Sequence, residues 1–410
     1  MNDSSAVTER LQQLRAPIEK DLHGNILPFW IERVADWHRG GFHSTLTNDL
    51  VVDDLGERGA LLTSRILWTY AAAYRRYGET RLLRMATHAY QDLQTRFHDS
   101  VHGGYVWSID ARSEVLRERK QVYGQAFAIY ALTEYYAATG ERAVLDQAIA
   151  VFRLIEAKAH DEVFGGYFEA FGRDWQPIAD MRLSEVDLNA PKSQNTLLHV
   201  MEAYTNLLSV WPGEAVRTAL AGLVGIMLER VLSASSGHLG LFFTADWQPL
   251  SNRISYGHDI EAAWLLTAAA EALGDSALLA RVRSLAVRIA DVTLAEGVDT
   301  DGAVLYEGGP GGITNADKEW WPQAEAVIGF VNAFGISGED RYLDAALRTW
   351  HFIERYLIDR EHGEWFRAVA RDGRLLADPL KVSFWKCPYH NSRMGLEVIR
   401  RTAALIAGRG

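Results

Sequence analysis

The chain has 410 residues, 48% of them hydrophobic, a formal net charge of -11 and a single cysteine, Cys387. These figures exclude an internal disulfide framework and a cysteine-rich zinc site. They also exclude a broad basic footprint for nucleic acid and, with no apolar run near the roughly 20 residues a bilayer requires, a membrane-spanning helix.

The N-terminal stretch MNDSSAVTERLQQLRAPIEKDL lacks the basic and apolar regions of a secretory signal, so a cytoplasmic protein acting on neutral small molecules is expected. A helical pattern interrupted by prolines, APIEKDLHGNILPFWIERV, leads into the glycine-rich, strand-like RGGFHSTL. A helical hairpin comes next. Ile66, Leu67, Tyr70, Ala71 and Tyr74 recur at helical spacing, Gly78 and an acid punctuate, and Leu82, Met85, Ala86, Ala89 and Leu93 form a second apolar face. A glycine followed by an acid reads as one helix ending and the next beginning. That punctuation returns at Gly140, Gly213, Gly274 and Gly338, at intervals of 61 to 73 residues, with HGGYVWSI, FGGYFEAF, HLGLFFTA and HGEWFRAV among the segments between hairpins. A last helix starts near 390. No Pro/Gly/Ser-rich linker separates the units. The pattern predicts an all-α fold, a closed (α/α)6 barrel of about twelve helices formed by one catalytic domain over residues 1–410, with short β-hairpins clustered at one mouth.

If the Gly-acid turns mark one end, the inner helices all start at the other. There sit Arg65, Tyr123, Asn195 with His199, His258, Trp321 with Gln323, and His390. The first five groups precede their glycines by 13 to 18 residues, about 20 to 27 Å of helix, so they are expected to converge on one pocket. Imidazoles at helix starts are more easily held neutral, which suits a general base near pH 7. In YGHDIEAAW, Glu261 lies one turn beyond His258 and is expected to orient it or to hold a ligand hydroxyl. Arg65 would stabilise an oxyanion. Trp321, Trp385 and Tyr306 would stack on sugar faces.

Plainer and rival readings stand beside these. Histidines on inner helices can be hydrogen-bonded core residues, Gly257 can stop an incoming segment, Asp259 and Glu261 can be charges suited to a helix start, and Arg65 can be a structural ion-pair partner. Three histidines and a glutamate are respectable metal ligands, but no H-E-x-x-H spacing is present, so no metal and no cofactor are expected. A glycoside hydrolase would draw its carboxylate pair from Asp187, Asp259, Glu261 and Glu325. A noncatalytic carbohydrate-binding protein would use the tryptophans alone.

The blocks GALLTSRILWTYAAAYR, VYGQAFAIYAL, NTLLHVMEAY, SYGHDIEAAW, WWPQAEAVIGF and FWKCPYHNSRMGLEV resemble, in order and over nearly the whole chain, the N-acylglucosamine 2-epimerase superfamily and most closely the cellobiose 2-epimerases. The resemblance implies an (α/α)6 barrel and cofactor-independent epimerisation at C2 of a reducing-end sugar. It implies acid/base roles for His258 and His390, a third active-site histidine at His199 and the active-site arginine at Arg65. Tyr123, Asp187, Asn195, Glu261, Trp321, Glu325 and Trp385 fall on positions lining the family's sugar pocket. The implied partner is a small sugar, with neither nucleic acid nor membrane, the protein acting as a monomer or weak homo-oligomer. Gln121, Gln194 and Thr63 depart from the family pattern near the pocket. They leave open a monosaccharide substrate, as for a D-mannose 2-epimerase, a mannose isomerase or an N-acylglucosamine 2-epimerase.

Overall fold

In a computed structural model of the chain, which describes residues 2–53, 55–377 and 380–408, the described residues form twelve helices. Helix α1 starts as Asn2–Asp21 and continues through the π-helical turns Leu22–Ile26 and Trp30–Val34 on either side of Leu27–Phe29. The prolines expected to interrupt it do not break it. Pro17 lies inside the first stretch and Pro28 falls at the start of Leu27–Phe29, next to the wider π turns in which a helix absorbs such irregularities. The others are α2 Ala60–Tyr77, α3 Thr80–Asp92, α4 Val122–Thr139, α5 Arg142–Lys158, α6 Gln194–Val210, α7 Glu214–Ile226, α8 Tyr256–Leu273, α9 Ser276–Val292, α10 Trp320–Ser337, α11 Asp340–Phe352 and α12 Tyr389–Ala407.

Each even-numbered helix packs against the next, and α12 against α2, which closes an inner ring; the odd-numbered helices pack outside it. The sequence explains which is which. Helix α4 is buried without a break from Val122 to Tyr135, and α10 from Trp320 to Phe334, as expected of helices apolar on all sides. Helix α3 instead buries the stripe Leu82, Met85, Ala86 and Ala89, the single face of an outer helix.

At the closed end, Gly78, Gly140, Gly274 and Gly338 take φ of 71° to 74°, the left-handed cap that glycine adopts without steric cost. The acids that follow, Glu79, Glu141, Asp275 and Glu339, are N-caps of the next helices. Gly213 departs from the expected pattern. Helix α6 ends at Val210, and Gly213 is itself the N-cap of α7 with φ −85°. Pro212 disfavours a helical residue before it, so Trp211 turns extended and no left-handed glycine is needed.

At the open end, each inner helix except α12 starts directly after a short strand. Short hairpins form there, Thr45–Thr47 with Val52–Asp53, Ser108–Ile109 with Val115–Arg117 and Glu307–Gly309 with Gly312–Asn315. Strands also pair across repeats: Arg58–Gly59 with Ser108–Ile109, Lys120–Gln121 with Ala170–Phe171, Lys192–Ser193 with Phe242–Phe243, Ile254–Ser255 with Glu307–Gly309, and Lys318–Glu319 with Ala368–Val369. Leu380–Val382 pairs with Thr45–Thr47 and completes the circuit. Buried ion pairs reinforce these joints, Lys120 with Asp99 at 2.8 Å, Lys192 with Asp161 at 2.6 Å, Lys318 with Asp299 at 3.2 Å, and Lys381 with Asp359. Gln323, expected near the pocket, ties α10 to the strand layer by exchanging bonds with the backbone of Val304 at 2.7 and 2.8 Å. Among the described residues no helix is long and apolar enough to cross a membrane.

Candidate active site

The strand layer surrounds a cavity of about 630 Å³ that reaches down to the first turns of the inner helices. Its wall brings together Arg65 from α2, Tyr123 from α4, Asn195 and His199 from α6, His258 and Glu261 from α8, Trp321 from α10 and His390 from α12, with Asp187, Tyr306 and Trp385 from connecting segments. Glu325 is the exception among the expected pocket residues. It is fully buried behind His390 and accepts a hydrogen bond from His390 Nδ1 at 2.7 Å and from Trp264 Nε1 at 3.0 Å.

The three histidines are held in two ways. His199 Nδ1 donates to Glu202 Oε2 at 2.8 Å and His390 Nδ1 to Glu325. His258 Nδ1 meets the Ser255 hydroxyl at 2.8 Å. The expected contact between His258 and Glu261 does not form, because the ring turns toward the strand residue that precedes its helix while Glu261 turns to Arg393. Burial, then the charge of His199, pushes His258 down to about 3. Burial also holds His390 well below its ordinary value, with Arg65 and Arg393 acting in the same direction. Both rings are therefore neutral near pH 7 and able to accept a proton, and burial rather than position at a helix start is the main cause.

Arg65 is buried, and its guanidinium has no carboxylate partner among the described residues. Nη2 donates to Tyr123 Oη at 2.6 Å, Nη1 lies 3.9 Å from Cys387 Sγ, Nε has no partner, and the group rests 4.4 Å above the Phe127 ring and 5.0 Å from that of Tyr389. The ion-pair reading of Arg65 is thus set aside. A buried cation without a counter-ion is costly unless a ligand's negative charge joins it.

One turn deeper lies a layer that sequence reasoning missed apart from Glu261 and Glu325. Arg393 of α12 bonds Glu202 and Glu261 and reaches Glu325 at 2.7 Å, while Tyr389 Oη donates to Glu202 at 2.7 Å. Glu202 is held at about 2: burial alone would raise it, and Arg393 and His199 more than offset that. Glu261 is pushed up to about 7 by burial and the charge of Glu325, and its Oε2 has no partner. Glu261, Glu325 and His390 form the one group among the described residues with ligand atoms close enough to share a metal ion, all within 4.8 Å. Arg393 Nη2 already bonds both carboxylates of that group, so a cation occupies their charge.

Two aromatic groups line the cavity. Tyr306 lies 6.3 Å from Trp321, ring centre to ring centre. Trp385 lies 6.2 Å from Trp107 and 6.4 Å from Tyr123. Trp107 was not anticipated. Its signal is Gly124 in VYGQ, where a Cβ would sit 3.0 Å from Trp107 Cζ3. Asp187 accepts from the backbone and hydroxyl of Ser184 at 3.0 and 2.7 Å on the segment at the cavity rim. Asp259 lies away from the cavity, bonded to His238 Nδ1 at 2.7 Å and to Leu239 N at 2.9 Å, which removes it from any hydrolytic carboxylate pair. Of the three departures expected near the pocket, Thr63 donates outward to Asp92 of α3 at 3.1 Å and Gln121 donates to the Met181 carbonyl at 3.3 Å. Gln194 lines a side cavity of about 100 Å³ next to His258, with neither amide atom partnered.

The profile of the family described as N-acylglucosamine 2-epimerase (GlcNAc 2-epimerase) matches residues 40–392. A cellobiose 2-epimerase of Bacteroides fragilis is 43% identical over 387 residues, 94% of this chain and 98% of that one. The solved structure of cellobiose 2-epimerase from Bacillus thermoamylovorans aligns with a TM-score of 0.91 at 37% identity, covering 95% of this chain and 100% of that one. A D-mannose isomerase of Marinomonas mediterranea is 24% identical over 403 residues, 94% of this chain and 96% of that one.

Proposed function

This chain belongs to the N-acylglucosamine 2-epimerase family, and from that premise we propose that it inverts C2 of the reducing-end glucose of a β-1,4-linked disaccharide such as cellobiose. It is a carbohydrate epimerase, an enzyme of the isomerase class. The observation that carries the reading is the pairing of two neutral-held imidazoles, His258 and His390, both beside the Trp321 indole in the wall that also holds Arg65.

The chemical problem is a poorly acidic C2 proton. Ring opening exposes the C1 carbonyl. One of His258 and His390 then takes the C2 proton on Nε2; the C–H electron pair becomes the C1–C2 double bond, and the carbonyl pair moves onto O1. The resulting enediolate carries the negative charge that Arg65 lacks. The other histidine, once it has taken up a proton on Nε2 relayed from the first through His199 or solvent, delivers that proton to the opposite face of C2, and both rings end neutral again. His199, whose ring lies 5.0 Å from that of Tyr123, moves protons among the enediolate oxygens. Asn195 Oδ1 and Glu261 Oε2, both buried without partners, accept from sugar hydroxyls. The two aromatic groups in the lining and a volume suited to a ligand larger than one ring favour a disaccharide.

The test is incubation of cellobiose with the protein in heavy water, followed by NMR. The expected result is deuterium at C2 of the reducing-end residue with the glycosidic bond intact. Free glucose with unexchanged C2–H would mean hydrolysis, and exchange confined to free mannose or glucose would mean a monosaccharide enzyme. The same proposal takes residues 1–410 as one catalytic domain, monomeric or weakly self-associating and cytoplasmic, which sedimentation and cell fractionation would check.

A further inference from the structure

Arg393 touches carboxylates from three other inner helices, Glu202 on α6, Glu261 on α8 and Glu325 on α10. Its guanidinium is held between the rings of Tyr389 at 4.4 Å and Trp264 at 4.8 Å. Two of the three carboxylates pass the contact on, Glu202 to His199 Nδ1 at 2.8 Å and Glu325 to His390 Nδ1 at 2.7 Å. Arg393 and His199 hold Glu202 at about 2, and Arg393 opposes the burial that raises Glu325; an ionised carboxylate can only accept. Each of these imidazoles therefore carries its proton on Nδ1 and presents a bare Nε2. His258 stands outside the network. Its Nδ1 meets the hydroxyl of Ser255, and a hydroxyl donates or accepts with equal ease.

We propose that Arg393 is a positioning residue that locks the tautomers of His199 and His390 through Glu202 and Glu325, and that His258, backed by Ser255, is the one of the three whose tautomer is free to change. The catalytic consequence rests on the epimerase reading, whereas the lock is a property of the free protein. His258 has no carboxylate partner, so the two bases beside Trp321 are unequal: His390 keeps a fixed bare Nε2 as proton acceptor, whereas His258 can change which nitrogen carries its proton.

Nitrogen NMR of the ligand-free protein carrying ¹⁵N-histidine separates the two tautomers, with signals assigned through His199→Gln, His258→Gln and His390→Gln. His199 and His390 should each show a protonated Nδ1 and a bare Nε2, and His258 a mixture. Arg393→Lys keeps the charge but not the fork that spans several carboxylates; it should move His199 and His390 toward mixtures and leave His258 alone. Glu325→Ala should release His390 only, and serves if the lysine variant does not fold. Turnover should fall about 10- to 100-fold in Arg393→Lys, mostly in kcat. Mixed tautomers at His199 and His390 in the unmodified protein, no change in either variant, or equal movement of all three histidines would overturn the lock. If no sugar is epimerised by the unmodified protein, the epimerase reading fails while the NMR result still decides the lock.

Discussion

Gly257 leaves the space that Trp321 fills: a Cβ at 257 would come within 2.6 Å of the indole Cη2 and 2.7 Å of Cζ3. The glycine of YGHDIEAAW lies inside α8 and does not stop a segment. It lets the indole approach both His258, 4.7 Å away, and His390, 5.6 Å away. Gly257→Ala should therefore displace Trp321 and cost about 100-fold in turnover. Thermal unfolding should change little, since alanine's helix preference of about 0.5–1 kcal/mol offsets part of the clash. Normal turnover in a folded variant would show that the indole does not set the spacing of the bases.

His258→Ala and His390→Ala should each lower epimerisation by at least about 100-fold with the far-UV circular dichroism unchanged, because either loss leaves one face of C2 without a proton partner. His199→Ala should be milder, since water relays protons between oxygens more readily than to carbon. Steady-state kinetics on the three variants would reveal a different ranking.

Arg65→Met should retain the fold, because the longer apolar shelf of Phe127 and Tyr389 can pack against methionine. Its turnover should drop about 100- to 1,000-fold if the guanidinium meets the enediolate. A loss of stability without loss of specific activity in the folded fraction would instead assign Arg65 to packing.

Stability should fall as pH drops from about 6.5 toward 3. In that window the unfolded chain protonates a histidine of ordinary value 6.5, while the folded one keeps His258, pushed down to about 3, neutral. The unfolded state thus binds more protons, and the slope is at most about 1.4 kcal/mol per pH unit for each such group. Denaturant titrations at several pH values should show a shallower fall in His258→Gln. An identical slope in both proteins would mean that His258 titrates normally.

Dialysis against a strong chelator should leave activity unchanged, since Arg393 already neutralises the carboxylates of the one group geometrically suited to a metal. Activity that vanishes and returns with a divalent ion would make His390 a ligand rather than a base.

The barrel was readable because its signals are local. A left-handed glycine with an acid after it, a helix apolar on every side and a helix with one apolar stripe each depend on a few neighbouring residues, and they specify the closed end, the inner ring and the outer ring. Gly213 misled for the same reason in reverse, since Pro212 one residue away changes what the glycine does. The open end was harder. Its strands are two to four residues long, too short to show an alternating pattern, and many pair with the next repeat, while Lys120, Lys192, Lys318 and Lys381 look like surface charges until the fold buries them beside aspartates.

Within the site, the sequence by itself determined which residues could meet, because inner helices of similar length, 17 to 19 residues, four of which end on the same left-handed glycine turn, start at about the same height. It brought Arg65, Tyr123, His199, His258, Trp321 and His390 to one level. What each of them touches was decided by the tertiary structure alone. Helical spacing pairs His258 with Glu261 as readily as His199 with Glu202, yet only the second pair forms. His390 takes its carboxylate from α10, 65 positions away in the chain, and Arg393 gathers acids from three helices. The rotation of each helix about its own axis settles which way a side chain points, and that rotation is set by packing against neighbours distant in sequence.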